Sequence, residues 1–302
     1  MSPQRYGKET DMTIKSCMPP DPDTRTPEFK MPPGACDAHC HVFGPGDKFP
    51  YAPERSYTPP DAPREKLKEL HGILGVERVV LVQASCHGID NSAMLDAIAH
   101  NRDSYRGVCM ASDEYPDDEF ERLHEGGVRA VRFNFVQHLG GMPDLENMKK
   151  VVERVKPLGW HLVIHVDAED LITFEDLFAS IDLPKVIDHM GRVPTSGGIH
   201  QRPFQILLKF MEREDFWVKI CGSERISQAG PPFYDAVPYA QALIRVAPER
   251  ILWGTDWPHP NIKKHMPNDG DLVDLVPLFA QDETLQKKVL VENPASLYGF
   301  DD

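Results

Sequence analysis

The chain has 302 residues, and its 47 acidic against 33 basic side chains give a formal charge of −14. With 41% hydrophobic and 26% charged residues it is predicted to be globular, as one large domain or two modest ones. The acidic excess argues against nucleic acid and anionic membranes as partners, because both are bound through Lys and Arg. A small anionic substrate is still compatible with this charge, since a pocket can be locally basic.

The sequence carries no pattern of a secreted or membrane-bound protein. No apolar run approaches the roughly 20 residues that span a bilayer, and the first 34 residues lack the order of a signal peptide. The six cysteines form no CxxC pair and lie in otherwise ordinary segments: Cys17, Cys36, Cys40, Cys86, Cys109 and Cys221. We therefore expect a cytoplasmic protein with reduced thiols, as a monomer or a small homo-oligomer.

The chain divides into a short arm and one long domain. Residues 1–33 are polar and rich in proline, which interrupts regular elements, so they are predicted to form a flexible arm. Residues 34–302 are predicted to form a single domain. Within it, the Pro-rich stretch 43–63 is expected to be a long loop after the first strand.

Eight short apolar runs follow one another through the domain. They are rich in Val and Ile and apolar on both faces, as strands of a parallel sheet covered by helices are: 35–39, 78–84, 106–111, 128–135, 161–167, 185–189, 216–221 and 251–255. Helical periods separate them, at 64–74, 90–100, 117–125, 145–155, 169–180, 204–211 and 236–246, and two short helices are expected within 271–300. This alternation favours a (β/α)8 TIM barrel of α/β class. An open doubly wound sheet is the alternative, although no GxGxxG follows the first strand.

Polar residues with metal-binding chemistry stand at the ends of several predicted strands. His39 and His41 are two apart on the first strand and therefore point to the same side. His165 ends the fifth run, His189 the sixth, and Asp256 the eighth. Histidines and one carboxylate at a barrel mouth predict a zinc site with open positions for water or substrate. Each residue alone could equally be a buried structural side chain.

Asp256 is also the candidate general base. It lies in the segment GTDWPHP, between Trp253 and Trp257, at the end of the eighth run. A carboxylate in this position is suited to activate a bound water. The alternative interpretation is a buried Asp that caps the following helix.

Three arginines are predicted to surround the barrel mouth. Arg132 lies towards the end of the fourth run, and Arg192 and Arg225 follow the sixth and seventh runs. Their guanidinium groups match carboxylates and sulfonates, which indicates a pocket for an acidic substrate. Tyr57 and Ser85 could add hydroxyl donors to the same pocket.

Five segments together resemble the amidohydrolase superfamily, in the branch that contains 2-pyrone-4,6-dicarboxylate lactonase and 4-sulfomuconolactone hydrolase. They are DAHCHVFGP (37–45), VQASCHGIDN (82–91), LHEGGVRAVRFNF (123–135), VIDHMGR (186–192) and WGTDWPHPN (253–261). The resemblance implies a distorted (β/α)8 barrel that hydrolyses a small anionic lactone from aromatic-ring catabolism. It also implies which residues hold the acidic groups of the substrate: Tyr57, Ser85, Arg132, Arg192, Arg225 and Asn261.

Two positions depart from the pyrone lactonase pattern. That enzyme has an Arg where this chain has His138, and a Tyr where it has His165. The lost Arg and Tyr bind one of the two pyrone carboxylates, so their absence argues against the dicarboxylate substrate. His165, in contrast, stands where metal-dependent relatives have a metal ligand on the fifth strand. The resemblance therefore favours a zinc-dependent hydrolase of the sulfomuconolactone type, which opens the ring to maleylacetate and releases sulfite.

The hypothesis has one zinc ion on His39, His41, His165 and Asp256. Asp256 accepts the proton of the attacking water, and His189 stabilises the oxyanion or protonates the leaving oxygen. A metal-independent pyrone-dicarboxylate lactonase and a hydratase or decarboxylase of the same superfamily are the alternatives. A binding protein without catalysis would leave the strand-end residues unexplained.

Overall fold

A computed structural model describes residues 14–300 of the chain. Eight strands lie within the apolar runs that the sequence predicts, with small differences at their ends. In chain order they are β1 Cys36–Cys40, β2 Arg78–Val82, β3 Tyr105–Cys109, β4 Val128–Asn134, β5 His161–His165, β6 Lys185–Ile187, β7 Phe216–Lys219 and β8 Ile251–Leu252. All neighbouring strands are parallel and follow the chain order.

The sheet curls until its first and last strands meet. Ala38 N donates to the carbonyl of Trp253 at 2.8 Å, and Asp256 N donates to that of His39 at 2.7 Å. A Cβ on Gly254 would lie 2.6 Å from the backbone nitrogen of His39, so only glycine permits this approach. The predicted (β/α)8 barrel is therefore confirmed, and the open sheet is wrong.

Helices cover the outside of the barrel. Their bounds are α1 Arg64–Leu74, α2 Ser92–Ala99, α3 Asp117–Glu125, α4 Leu145–Val155, α5 Ala168–Thr173, α6 Glu175–Ser180, α7 Arg202–Met211, α8 Ser223–Ile226, α9 Val237–Val246, α10 Asp269–Asp274, α11 Val276–Phe279, α12 Glu283–Lys287 and α13 Asn293–Tyr298. A π-helical turn, Lys288–Glu292, joins the last two. The predicted helix 169–180 is two helices, and the C-terminal segment contains more helical pieces than the two expected.

Alternation along the strands divides the core into two parts. Val80 and Val82 of β2 belong to a small cluster inside the barrel, whereas Val79 and Leu81 belong to the large cluster beneath the helices. Successive side chains of a strand point to opposite faces, so both faces of each strand are buried. This explains why the runs are apolar throughout.

The described part of the N-terminal segment contacts the barrel domain. Lys15–Ser16 forms a short parallel pair with Tyr57–Thr58, and the side chain of Arg25 forms ion pairs with Asp271 and Asp274. Residues 1–13 of the predicted arm lie outside the described residues, so the division into an arm and a single domain remains a prediction.

Two further expectations concern the whole chain. All six cysteines are free, and five of them are buried. Among residues 14–300, no helix has both the length and the apolar character needed to cross a membrane.

Candidate active site

The carboxyl ends of the strands enclose a small cavity of about 20 Å³. Parallel strands bring their carboxyl ends to one end of a barrel, where loops complete a site. Most of the residues predicted from the sequence line this cavity: His41, Tyr57, Ser85, Arg132, His138, His165, His189, Arg225, Asp256 and Asn261. His39 is fully buried and does not line it, and Arg192 lines a larger adjoining cleft.

Asp256 lies at the centre of the site with its two oxygens in different surroundings. Oδ1 faces three Nε2 atoms, at 3.2 Å from His41, 3.6 Å from His39 and 3.9 Å from His189. Oδ2 accepts from Nε and Nη2 of Arg225. Burial alone would raise the pKa of Asp256, but the Arg225 guanidinium and the histidines outweigh burial and hold the pKa well below its usual range. The carboxylate is therefore ionised, with Oδ2 held by Arg225 and Oδ1 facing the histidines.

Backbone strain is concentrated around these residues. Among residues 14–300, all but one of the non-glycine residues with positive φ lie in two segments at the barrel mouth: His189, Met190, Arg192, Asp256, His259 and Asn261. L-residues adopt this left-handed region rarely, and such strain persists where surrounding contacts hold it. The loops after β6 and β8 are thus bent so that His189 and Asp256 face each other.

The hydrogen-bond partners of the histidines constrain their protonation. His41 Nδ1 donates to the carbonyl of Val82 at 2.7 Å, which leaves Nε2 to face Asp256. His165 Nδ1 lies 3.0 Å from Asn134 Oδ1. Its Nε2 has no hydrogen-bond partner among the described residues.

Burial keeps His39, His165 and His189 uncharged near neutral pH. Burial lowers the pKa values of His165 and His189 well below the usual value. Burial, followed by the charge of Lys219, lowers the pKa of His39 to about 4. Neutral imidazoles can ligate a metal or exchange a proton without first losing one.

A buried ionic network that the sequence analysis missed supports His39. Asp188 accepts from Arg132 Nε at 3.0 Å and pairs with Arg132 Nη2 at 2.9 Å. Its other oxygen lies 3.2 Å from His39 Nδ1 and 3.3 Å from Lys219 Nζ. Lys219 and Asp188 are fully buried. A lysine inside the apolar run FWVKIC is a signal that could have revealed this network, because buried lysines need a partner.

The three predicted arginines differ in the hydrogen-bond donors that they leave free. Arg225 contacts Asp256 and also donates Nη1 to the Pro260 carbonyl at 3.1 Å. Arg132 uses Nε and Nη2 for Asp188. Arg192 donates Nε to Asp167 at 2.9 Å, and its buried Nη1 has no partner in the described part of the chain. Arg132 and Arg192 therefore retain donors for an anion, whereas Arg225 primarily fixes Asp256.

Three residues lie within reach of a common cation. Ligand atoms of His39, His189 and Asp256 fall within 4.8 Å of one another. The predicted metal set had His41 and His165 in place of His189, and neither belongs to this group. Nε2 of His39 is buried without a hydrogen-bond partner. Its Nδ1 lies 3.2 Å from an oxygen of Asp188, as in carboxylate–histidine–metal arrangements, and 3.0 Å from Lys219 Nζ. The residues present thus fit a metal ion.

The sequence model of the amidohydrolase family matches residues 36–300. The chain belongs to the amidohydrolase family. It is 46% identical over 281 residues to 2-pyrone-4,6-dicarboxylate hydrolase of Comamonas testosteroni, covering 90% of this chain and 92% of that protein. It is 42% identical over 289 residues to 4-sulfomuconolactone hydrolase of Rhizobium radiobacter, covering 95% and 97%. A ligand-free crystal structure of an Agrobacterium tumefaciens protein superposes with a TM-score of 0.79 at 28% identity, covering 91% and 99%.

This amidohydrolase has a second buried group next to Asp256 that the sequence analysis did not assign. Both oxygens of the fully buried Glu224 side chain lack hydrogen-bond partners among the described residues. Glu224 lies 3.5 Å from Arg225 Nε and 3.9 Å from His259 Nδ1. His259 Nε2 in turn contacts Asp269 at 3.1 Å. Burial raises the pKa of Glu224, so Arg225 is shared with a weaker second acid.

Proposed function

We propose that this amidohydrolase hydrolyses a small anionic lactone of aromatic-compound degradation, as a carboxylic ester hydrolase. The observation that carries the proposal is the ionised Asp256, whose Oδ1 faces three imidazoles beside a cavity with arginine donors. The two named relatives, one a pyrone-dicarboxylate hydrolase and one a sulfomuconolactone hydrolase, support the substrate class. Both activities open a lactone ring with water, which suits a cytoplasmic catabolic enzyme.

Asp256 acts as the general base. Its Oδ1 accepts a proton from the water that attacks the lactone carbonyl, while Arg225 holds Oδ2 and fixes the direction of the carboxylate. Because the pKa of Asp256 is low, the carboxyl group does not retain the proton. The proton passes on to the ring oxygen as the carbon–oxygen bond breaks.

The histidines stabilise the charge that develops on the substrate. His189 Nε2 lies 3.9 Å from Asp256 Oδ1 and lines the cavity, so without a metal it can donate to the oxyanion or carry the proton to the leaving oxygen. As a zinc ligand it would instead hold the ion that polarises the carbonyl. Its Nδ1 lies 3.3 Å from Cys221 Sγ, which orients the ring. His41 is held by the Val82 carbonyl and contributes from the opposite side of Asp256.

The acidic groups of the substrate bind to donors that remain free. Arg132 and Arg192 offer the guanidinium hydrogens that Asp188 and Asp167 leave unused. Tyr57, Ser85, His138 and Asn261 complete this binding region as neutral donors. For a sulfonated lactone, opening leaves an alcohol and a sulfonate on one carbon, and this species collapses to a ketone and sulfite.

A single zinc ion fits the group His39, His189 and Asp256. When bound, zinc would polarise the carbonyl and lower the pKa of water. Asp188 Oδ1 and Lys219 Nζ lie 3.2 Å and 3.0 Å from His39 Nδ1, so both would orient this ring beside the ion, and Lys219 would balance the charge of Asp188. We propose zinc as the resident ion, with His41 and His165 outside its immediate ligands.

Of the two substrates, we favour 4-sulfomuconolactone. His138 and His165 replace the Arg and Tyr that the pyrone lactonase pattern requires for one carboxylate. The pyrone dicarboxylate is the second candidate, because the relative named for that activity is 46% identical to this chain over 281 residues.

A side-by-side assay tests the function and the metal together. The purified enzyme is given 4-sulfomuconolactone and 2-pyrone-4,6-dicarboxylate, and zinc content is measured on the same sample before and after chelation. We expect higher kcat/KM for the sulfonated lactone and about one zinc per chain. His39→Asn should lower the zinc content, whereas Lys66→Gln on the outer helix α1 should not. Turnover of neither lactone would overturn the function, and full activity of a zinc-free sample would overturn the metal assignment alone.

A further inference from the structure

A second, much larger cleft adjoins the small cavity. Its volume is about 910 Å³, within the range of sites for drug-sized ligands. The two share His138, Arg225 and Asn261, so the cleft lies directly beside the catalytic groups. We call it the entrance cleft; its lining also includes Lys15, Arg55, Arg192, Lys263 and Lys264.

The charge of the entrance cleft is opposite to that of the chain. Six basic side chains line it against two carboxylates, Glu54 and Glu224, while the whole chain has a formal charge of −14. Arg192 is balanced by Asp167, and Arg225 by Asp256. For Lys15, Arg55, Lys263 and Lys264, the described residues provide no carboxylate within salt-bridge distance.

The unbalanced lysines of the cleft contrast with many lysines on the rest of the surface. Seven others form ion pairs: Lys48, Lys149, Lys150, Lys156, Lys209, Lys287 and Lys288. Lys263 and Lys264 are exposed and follow directly after the strained segment that contains Asp256 and Asn261. Among residues 14–300, no carboxylate therefore neutralises these two charges beside the site.

The N-terminal segment builds one wall of this cleft. Ile14 and Lys15 line it, and Lys15–Ser16 is held by pairing with Tyr57–Thr58. Cys17 N donates to the carbonyl of Thr58 at 3.0 Å, and its thiol donates to Asn261 Oδ1 at 3.6 Å. The segment thus contributes a cation and also contacts two residues of the predicted substrate site.

We propose that the entrance cleft is an anion-attracting vestibule that concentrates doubly charged lactones at the catalytic cavity. The inference rests on the proposed lactone hydrolysis. It adds that the cleft selects substrates by their negative charge. A chain of charge −14 repels a dianion at long range, and a cleft with an excess of positive charge in its lining reverses this locally. Such focusing raises association rates by about 10- to 1000-fold in favourable cases and is lost with salt.

The test compares Lys263→Gln/Lys264→Gln with a control of equal charge change, Lys66→Gln/Lys68→Gln. The control lysines are exposed on α1, outside the cleft. At low ionic strength we expect the cleft variant to lose about threefold to tenfold in kcat/KM for a dianionic lactone, through KM. For a monoanionic lactone the loss in kcat/KM should be smaller. At about 1 M salt the cleft and control variants should have the same kcat/KM. Equal kcat/KM in the two variants would overturn the proposal.

A binding measurement separates this proposal from the proposed function. Isophthalate, an aromatic dianion without a lactone ring, is titrated calorimetrically into the wild type and both double variants. We expect weaker isophthalate binding only in the cleft variant, with the difference lost at high salt. If no lactone is hydrolysed but this pattern holds, the function fails and the vestibule stands. If lactones are hydrolysed while both variants bind isophthalate and dianionic lactones as the wild type does, the vestibule fails alone.

Discussion

Arg225 donates from both Nε and Nη2 to a single oxygen of Asp256, Oδ2, and leaves Oδ1 to three histidines. Both residues are almost fully buried at the side chain. A fork that grips one carboxylate oxygen fixes the plane of the group and keeps it ionised. The pair therefore separates two tasks within one carboxylate: Oδ2 is held, and Oδ1 reacts.

Asp256→Asn should remove nearly all lactone turnover in a protein that still folds, although the loss of the buried partner of Arg225 lowers its stability. The amide has the same shape but cannot accept a proton from water, and we expect kcat to fall by at least about 10²-fold. Steady-state kinetics measures the loss of turnover, and circular dichroism checks that the variant is folded. If the variant retained most of its activity, the assignment of Asp256 as the general base would be wrong.

Arg225→Gln should lower the stability of the protein and shift the pH dependence of its activity. Removing one partner of a buried ion pair costs about 3–5 kcal/mol of unfolding free energy. Because Arg225 lowers the pKa of Asp256, its loss raises that pKa, and the acid limb of the kcat profile moves to higher pH. Arg225→Lys keeps the charge without the fork and should show a smaller shift of the acid limb. An unchanged acid limb in a folded Arg225→Gln enzyme would contradict the pairing.

Asp188→Asn should destabilise the protein even though its side chain does not line the cavity. Arg132 and Lys219 would both remain buried without their common carboxylate. We expect a loss of about 3–5 kcal/mol in urea denaturation. Asp182→Asn is a suitable control, because its ion pair with Lys156 is exposed and contributes little to stability. Equal effects of the two substitutions would disprove the network.

Asp235→Asn should destabilise the loop beside the entrance cleft in a pH-dependent manner. Burial raises the pKa of Asp235, but hydrogen bonds from Ser227, Thr195 and two backbone amides outweigh burial and lower the pKa to about 2. The stabilising effect of the carboxylate is therefore complete above about pH 4 and is lost as pH falls through about 2.

We expect the Asp235→Asn variant to lose about 1 kcal/mol at pH 7, a value reduced for solvent screening at this partly exposed site. Thermal denaturation of wild type and variant across this pH range is the measurement. A difference that stays constant from pH 7 down to pH 2 would show that the carboxylate charge is not responsible.

Much of the architecture could be predicted because parallel barrel strands are apolar on both faces. All eight runs contain a strand, and α1 begins and ends where the periodicity places it. The number of helices in the C-terminal segment was not predicted correctly, since Pro277 and Pro294 lie in the first turns of new short helices and divide the periodicity. The division of 169–180 into α5 and α6 has no comparably clear signal in the sequence.

The sequence by itself determined which residues reach the barrel mouth. His39, His165, His189 and Asp256 end or follow predicted strands, and parallel strands deliver those ends to one place. Only the tertiary structure decided the partner of each. Arg225 and Asp256 are 31 residues apart, and Arg132 and Asp188 are 56 apart. Such pairs depend on the register between strands and the bend of each loop, which act through space and leave no periodic pattern in the sequence.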